Sequence, residues 1–236
     1  MDYDLISFDL DGTLVDTAAE IAESANRALE DHGIGRRPAS EITLLIGAGT
    51  RELMLKLLAR CLLEEPRLAR AVRPDAVLQS MDEHYAATAG TGSRPYRGCG
   101  RALTELRAAG LKLACVTNKE LRHTLRVLAA TGLGDQFDLI IGGDSLSEKK
   151  PHPSVLRHVA RVIGVPTNRS AHLGDSAIDI AAARNAGMEA WAVPYGYNAG
   201  RPIAESRPDR LFEALSDVAR YVLAARQPSA AERRVQ

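Results

Sequence analysis

Tyr3-Asp4-Leu5-Ile6-Ser7-Phe8-Asp9-Leu10-Asp11-Gly12-Thr13-Leu14 opens the chain with a short apolar run that ends in two acids and a glycine. The run predicts a buried strand over residues 3–8. Side chains alternate along a strand, so Asp9 and Asp11 project to one side and Leu10 to the other. Gly12 then lets the backbone turn sharply. Two carboxylates held together repel, and a divalent cation relieves that repulsion; hard cations such as Mg2+ take oxygen ligands. In an open α/β sheet the carboxyl end of a strand is also where ligands bind. Asp-Gly is a common turn dipeptide, so by itself the stretch reads equally as a strand and a polar turn. Later strands decide between the two.

Working outward, Thr17-Ala18-Ala19-Glu20 has the form of a capping box, and Ile21, Ala25, Ala28 and Leu29 follow at helical spacing. Residues 16–96 read as helix after helix, with Gly47-Ala48-Gly49 breaking the apolar run 42–46 and amphipathic helices over 51–63 and 75–89. Near Arg97 the character changes. Apolar strands over 113–117, 139–141, 170–173 and 190–193 alternate with helices over 102–109, 121–130, 154–163 and 178–186. Strands alternating with helices predict an α/β fold with a mostly parallel sheet covered on both faces. The expected layout is an α/β core from 1–16 and 97–226, split by a helical cap from 17–96, with a polar, disordered tail at 227–236. The insertion leaves the core just after Asp9 and Asp11, so it is expected to sit over the strand ends as a lid.

Composition excludes several classes. Lys plus Arg equals Asp plus Glu at 30 each, which argues against a nucleic-acid or anionic-membrane partner. No apolar run approaches the roughly 18 residues of a membrane span, and the N-terminus lacks a secretory pattern. Cys61, Cys99 and Cys115 are too scattered for a zinc site and suit reduced thiols in a cytoplasm. Oligomeric state is left open.

Each later strand ends in reactive groups. The second gives Thr117 and Asn118, the loop after the third gives Lys150, and the fourth gives Asp175 with Asp179 four residues on. Thr-Asn alone is a turn or cap, Lys150 alone a loop lysine, and Gly-Asp-Ser a common tripeptide. All of them at successive ends of one sheet is not explained by turn chemistry. Three carboxylates plus a cation make a metal site, and a hydroxyl, backbone amides and a lysine cradle a dianion such as phosphate. With neither a serine–histidine pair nor a P-loop, the nucleophile falls to a carboxylate, a known phosphoryl acceptor.

Asp9-Leu10-Asp11-Gly12-Thr13, Thr117-Asn118, Lys150-Pro151 and Gly174-Asp175-Ser176 with Asp179 resemble, in order and spacing, the four motifs of the haloacid dehalogenase superfamily of phosphohydrolases. Val116-Thr117-Asn118-Lys119, Gly142-Gly143-Asp144, Lys149-Lys150-Pro151-His152-Pro153 and Tyr195-Gly196-Tyr197-Asn198-Ala199-Gly200 are similar to its phosphoglycolate phosphatases, as is Ile46-Gly47-Ala48-Gly49. The resemblance implies a Rossmann-like sheet of strand order 5-4-1-2-3 and an all-helical cap. It also implies roles. Asp9 attacks phosphorus, and Asp11 acts as acid and then base. Mg2+ is held by the Asp9 and Asp175 carboxylates and the Asp11 carbonyl. Asp179 acts through water or by orienting Lys150, while Thr117, the Asn118 amide and Lys150 hold the phosphoryl oxygens. Hinges are expected near 16–17 and 96–98.

The reading that follows is a Mg2+-dependent phosphatase for a small ester, 2-phosphoglycolate first, with a sugar phosphate as the alternative substrate. Its substrate carboxylate needs a cation from the cap, for which Arg51 is the candidate beside an equal reading as an exposed helix arginine. A haloacid dehalogenase is disfavoured because Asp11 is present. A phosphonatase needs a cap amine, and Lys56 lies inside a helix. A phosphosugar mutase on the same core would interconvert isomers rather than release phosphate. A non-enzymatic phosphoacceptor is disfavoured by an acid/base beside the phosphorylated group. Lys119 reads equally as a substrate contact or a solvated helix-start lysine, and His152 as a loop histidine.

Overall fold

A computed structural model describes residues 3–226; the tail expected at 227–236 lies outside them. Strand β1 (Leu5–Phe8) is followed by β2 (Val15–Asp16), and the helices α1 (Ala18–Asp31), α2 (Ala39–Thr43), α3 (Thr50–Glu64) and α4 (Pro74–Thr88) form the insertion. The chain returns through β3 (Arg94–Pro95) and continues as α5 (Cys99–Ala108), β4 (Lys112–Val116), α6 (Leu121–Ala130), β5 (Leu139–Ile141), α7 (Pro153–Ile163), β6 (Ser170–Gly174), α8 (Ala177–Ala186), β7 (Glu189–Ala192), β8 (Arg210–Leu211) and α9 (Leu215–Arg226).

The main sheet runs β5-β4-β1-β6-β7-β8, parallel throughout. Its first five members, counted along the core, have the expected order 5-4-1-2-3. The order differs from expectation by a sixth strand, β8, on the β7 edge. Its two residues, Arg210 and Leu211, are both exposed, so no buried apolar run announced it.

Alternation along β1 and β4 sorts the core. Ile6, Phe8, Leu113 and Cys115 face one apolar cluster with α5 and α9, while Leu5, Ala114 and Val116 face another with α7 and α8. The insertion has its own cluster, built on Ile21, Ala25, Ala28 and Leu29 of α1 with Leu57, Val77, Met81 and Tyr85. Its two stems pair as a short antiparallel ribbon, Val15 with Pro95 and Asp16 with Arg94, next to the stretches 16–17 and 96–98. All three cysteines are free and buried. No helix among the described residues is long and apolar enough to cross a membrane.

The capping box expected at Thr17 does not form. The Thr17 hydroxyl turns to Asp11 Oδ1 at 2.6 Å. The Glu20 carboxylate instead accepts the amides of Gly90 and Gly92 and the hydroxyl of Ser93, tying α1 to the loop that leaves the insertion. A long-range partner won over the local one.

Candidate active site

The three central strands deliver the site. Asp9 follows β1, with its amide fixed to Leu173 O at 2.9 Å; Thr117 follows β4, with its amide on Ile141 O at 3.0 Å; Asp175 follows β6. Neighbouring strand ends therefore set Thr117, Asp9 and Asp175 side by side. One oxygen from each of Asp9, Asp175 and Asp179 lies within 4.8 Å of the others, and all three residues are buried.

Lys150 enters from the loop after β5. Its Nζ stands 2.9 Å from Asp9 Oδ1 and 2.7 Å from Asp179 Oδ1. Asp179, in the first turn of α8, is saturated: its Oδ2 accepts the amide and hydroxyl of Ser176. His172 Nε2 lies 3.3 Å from its Oδ1, and His172 Nδ1 is 2.9 Å from Ser7 Oγ. The acid is thus a fixed ion-pair partner of Lys150. Asp175 is held by the Thr13 hydroxyl at 3.0 Å and the Tyr197 amide at 2.6 Å. Glycine is required around it: a Cβ on Gly12 would stand 2.4 Å, and one on Gly196 2.2 Å, from its Oδ2.

Electrostatics separate the acids. Burial, with help from Asp179 and Asp11 and against Lys150, pushes Asp9 up to about 7. Burial, then Asp179 and Asp9, holds Asp175 well above the usual carboxylate range. Burial opposes ionisation of Asp179 too, but Lys150 and His172 hold it far below that range. Burial works against the Lys150 ammonium, yet Asp179 and Asp9 keep it above its ordinary value. Burial and Lys150 lower His172, so at neutral pH it meets Asp179 as a neutral ring. Asp179 and Lys150 satisfy each other, which leaves Asp9 and Asp175 as the acids whose charge calls for a cation.

On the far side, Thr117 and Asn118 are buried. Asn118 Nδ2 donates to Lys150 O at 2.9 Å and to Gly47 O at 3.1 Å, so this side chain braces the lysine loop and the insertion. A cap loop comes down on the core here. Lys149 Nζ reaches Ala48 O at 2.8 Å, and the Thr50 hydroxyl donates to Glu120. The crevice between them, lined by Asp9, Asp11, Ile21, Gly49, Thr117 and Lys119 among others, has a volume of about 20 Å³.

The structure does not bring Arg51 into this crevice. Arg51 is exposed and lines a separate cleft with Asp82 and Glu120. The cation on the cap side is Lys119 from the core, 2% exposed, with Nζ 3.0 Å from Asp11 Oδ2. Its other partner is the Tyr85 hydroxyl of α4. His152 caps α7, its ring accepting the Ser154 amide at 3.3 Å, and stays exposed. Tyr197 is an unforeseen strut: while its amide holds Asp175, its hydroxyl takes the amides of Thr17 and Ala18 and donates to Asp16.

The sequence matches the haloacid dehalogenase-like hydrolase family over residues 6–193. The chain belongs to that family. A phosphoglycolate phosphatase of Thiobacillus denitrificans is 36% identical over 220 residues, covering 93% of this chain and 96% of the relative. A plasmid-borne phosphoglycolate phosphatase of Cupriavidus necator is 37% identical over 226 residues, covering 96% of each. Among solved structures, one described as a predicted phosphoglycolate phosphatase from Haemophilus somnus superposes with a TM-score of 0.86 at 32% identity, covering 94% of this chain and 98% of that one. In this family the chain is a phosphatase, a phosphoric monoester hydrolase.

Proposed function

We propose that the protein hydrolyses 2-phosphoglycolate to glycolate and phosphate. The observation that carries the reading is the clustering of Asp9 with Asp175, Asp179 and Lys150, beside a small crevice that Asp9 shares with Asp11, in a chain similar along its length to phosphoglycolate phosphatases. An Asp9 oxygen attacks phosphorus as the ester P–O bond breaks, and Asp11 gives its proton to the departing glycolate oxygen. Asp11 then takes a proton from water as that water attacks phosphorus and the bond to Asp9 breaks, which restores both acids. Thr117, the Asn118 amide and Lys150 hold the phosphoryl oxygens in place. Asp179 acts on this step only through the position of Lys150.

The donors fit a hard divalent cation. They are carboxylate oxygens, they are crowded, and Asp9 Oδ1 has no hydrogen-bonding partner beyond the Lys150 charge among the described residues. The Asp9 and Asp175 carboxylates and the Asp11 carbonyl would hold Mg2+, which would supply charge neutralisation during transfer. The sign of its pH dependence follows from Asp9. Burial raises its folded pKa from 3.8 to about 7, so the native state holds that proton more tightly than the unfolded chain. Without metal, this contribution is full below 3.8 and is lost as pH rises through about 7. A metal that takes the proton's place works against it at low pH and freely above. Saturating Mg2+ is therefore expected to raise Tm by less than about 1 °C near pH 5 and by roughly 3–6 °C near pH 8. A thermal-shift series with Mg2+ against EDTA checks this, and an equal shift at both pH values would overturn it.

Substrate is tested by phosphate release from purified protein across a panel of small esters. 2-Phosphoglycolate is expected to exceed hexose and pentose phosphates in kcat/KM by at least about tenfold. A sugar phosphate at the top of the panel removes the phosphoglycolate reading. Isomerisation without released phosphate removes the phosphatase mechanism.

A further inference from the structure

Lys119 is placed for more than packing. It follows Thr117-Asn118 directly, yet it is among the largest fully buried side chains of the protein and it lines the crevice with Asp9 and Asp11. Burying an ammonium is costly unless it is paired and hydrogen-bonded. Asp11 Oδ2 at 3.0 Å and the Tyr85 hydroxyl account for two of its three donors, and the Tyr85 ring lies 4.6 Å from Nζ at its centroid. Among the described residues no further oxygen partner completes the set. Lys150, the other buried lysine, is committed to Asp9 and Asp179.

We propose that Lys119 is the specificity-determining cation of the crevice, recognising a carboxylate carried by the leaving alcohol next to its ester oxygen. The inference rests on the phosphatase reading above and names the feature of the substrate that this site selects. The geometry is set by Asp11. Whatever oxygen Asp11 protonates must lie within a hydrogen bond of it. Lys119 Nζ is bonded to that same carboxylate. A carboxylate attached to the first carbon of the alcohol therefore falls within reach of the ammonium. Charge points the same way. A phosphate ester with a carboxylate enters a space already holding Asp9 and Asp11, and Lys119 offers a desolvated positive charge where the second anion must sit. Ile21, Ile46 and Leu53 line much of the rest; of the polar side chains there, the Thr50 hydroxyl donates to Glu120 and Asn118 Nδ2 to Lys150 O and Gly47 O, which leaves a neutral polyol few partners for its hydroxyls. Tyr85 belongs to the insertion, so Lys119 ties the crevice to the cap.

The test compares 2-phosphoglycolate with 2-hydroxyethyl phosphate, which keeps the two-carbon alcohol and lacks the carboxylate. The readout is the ratio of their kcat/KM values. Wild type is expected to favour the carboxylate by about a hundredfold. Lys119→Met is expected to slow both substrates, because Asp11 loses a partner, and to bring the ratio to within about threefold of unity. Lys119→Gln, which keeps a donor toward Asp11 and Tyr85 without the charge, is read in the same way if the Met variant does not fold. A folded variant that slows both substrates equally and keeps the wild-type ratio overturns the assignment, because that is what a purely structural lysine would do. A wild type indifferent to the carboxylate instead overturns the phosphoglycolate reading on which the inference stands. The two failures are therefore told apart by the wild-type measurement.

Discussion

Asp9→Asn should fold as well as wild type and lose phosphate release by about four orders of magnitude or more. An amide oxygen at this position keeps the shape of the side chain and its approach to Lys150, so the surroundings have little reason to move. What it cannot do is attack phosphorus and leave again. The variant also removes a charge that burial makes unfavourable, since Asp9 is pushed up to about 7. Its Tm without metal should therefore equal or exceed that of wild type near pH 8. Turnover and a melting curve on the same preparation check both halves. Hydrolysis near the wild-type rate would mean that another group is the nucleophile.

Lys150→Met should damage both stability and rate. Lys150 Nζ is the only cation within ion-pair distance of Asp9 and, with a neutral His172, of Asp179 among the described residues. Removing one partner of a buried pair leaves an uncompensated charge and costs about 3–5 kcal/mol. For a domain of this size that corresponds to a fall in Tm of roughly 6–20 °C. Phosphate release should drop by about a thousandfold as the phosphoryl oxygens lose their fixed charge. The Tm deficit should shrink as pH falls, because protons neutralise the abandoned carboxylates. A variant that melts like wild type and retains more than about a tenth of its rate would contradict the central place given to this lysine.

The floor of the site was legible because its chemistry is written at strand ends. Asp9, Thr117 and Asp175 each follow an apolar run, and a parallel sheet must bring such positions to one edge. The four-residue spacing of Asp179 from Asp175 already placed the two acids near one another, while a role for Asp179 came only from the family resemblance. The roof was not. Tyr85 sits in the register of Val77 and Met81 on α4, so its ring reads as ordinary core and nothing local signals its hydroxyl. His172 is a polar residue inside an apolar strand, which signals a buried partner without naming it; only the pairing of β1 with β6 shows that Ser7 is that partner. Arg51 follows two glycines and so reads as a crevice cation, yet helix periodicity turns it to the next cleft. The needed charge lay one residue beyond Thr117-Asn118, where Lys119 looks like any lysine opening a helix. Long-range packing buried it.

Tyr197 joins two parts of the molecule that must behave differently. Its amide grips Asp175, and its hydroxyl grips the stem at Asp16, Thr17 and Ala18. A swing of the insertion wide enough to admit an ester has to drag this tyrosine or let it go, and either event tugs at a carboxylate beside the nucleophile. The doorway and the floor therefore share one bolt, a single side chain tied at once to the stem of the insertion and to Asp175.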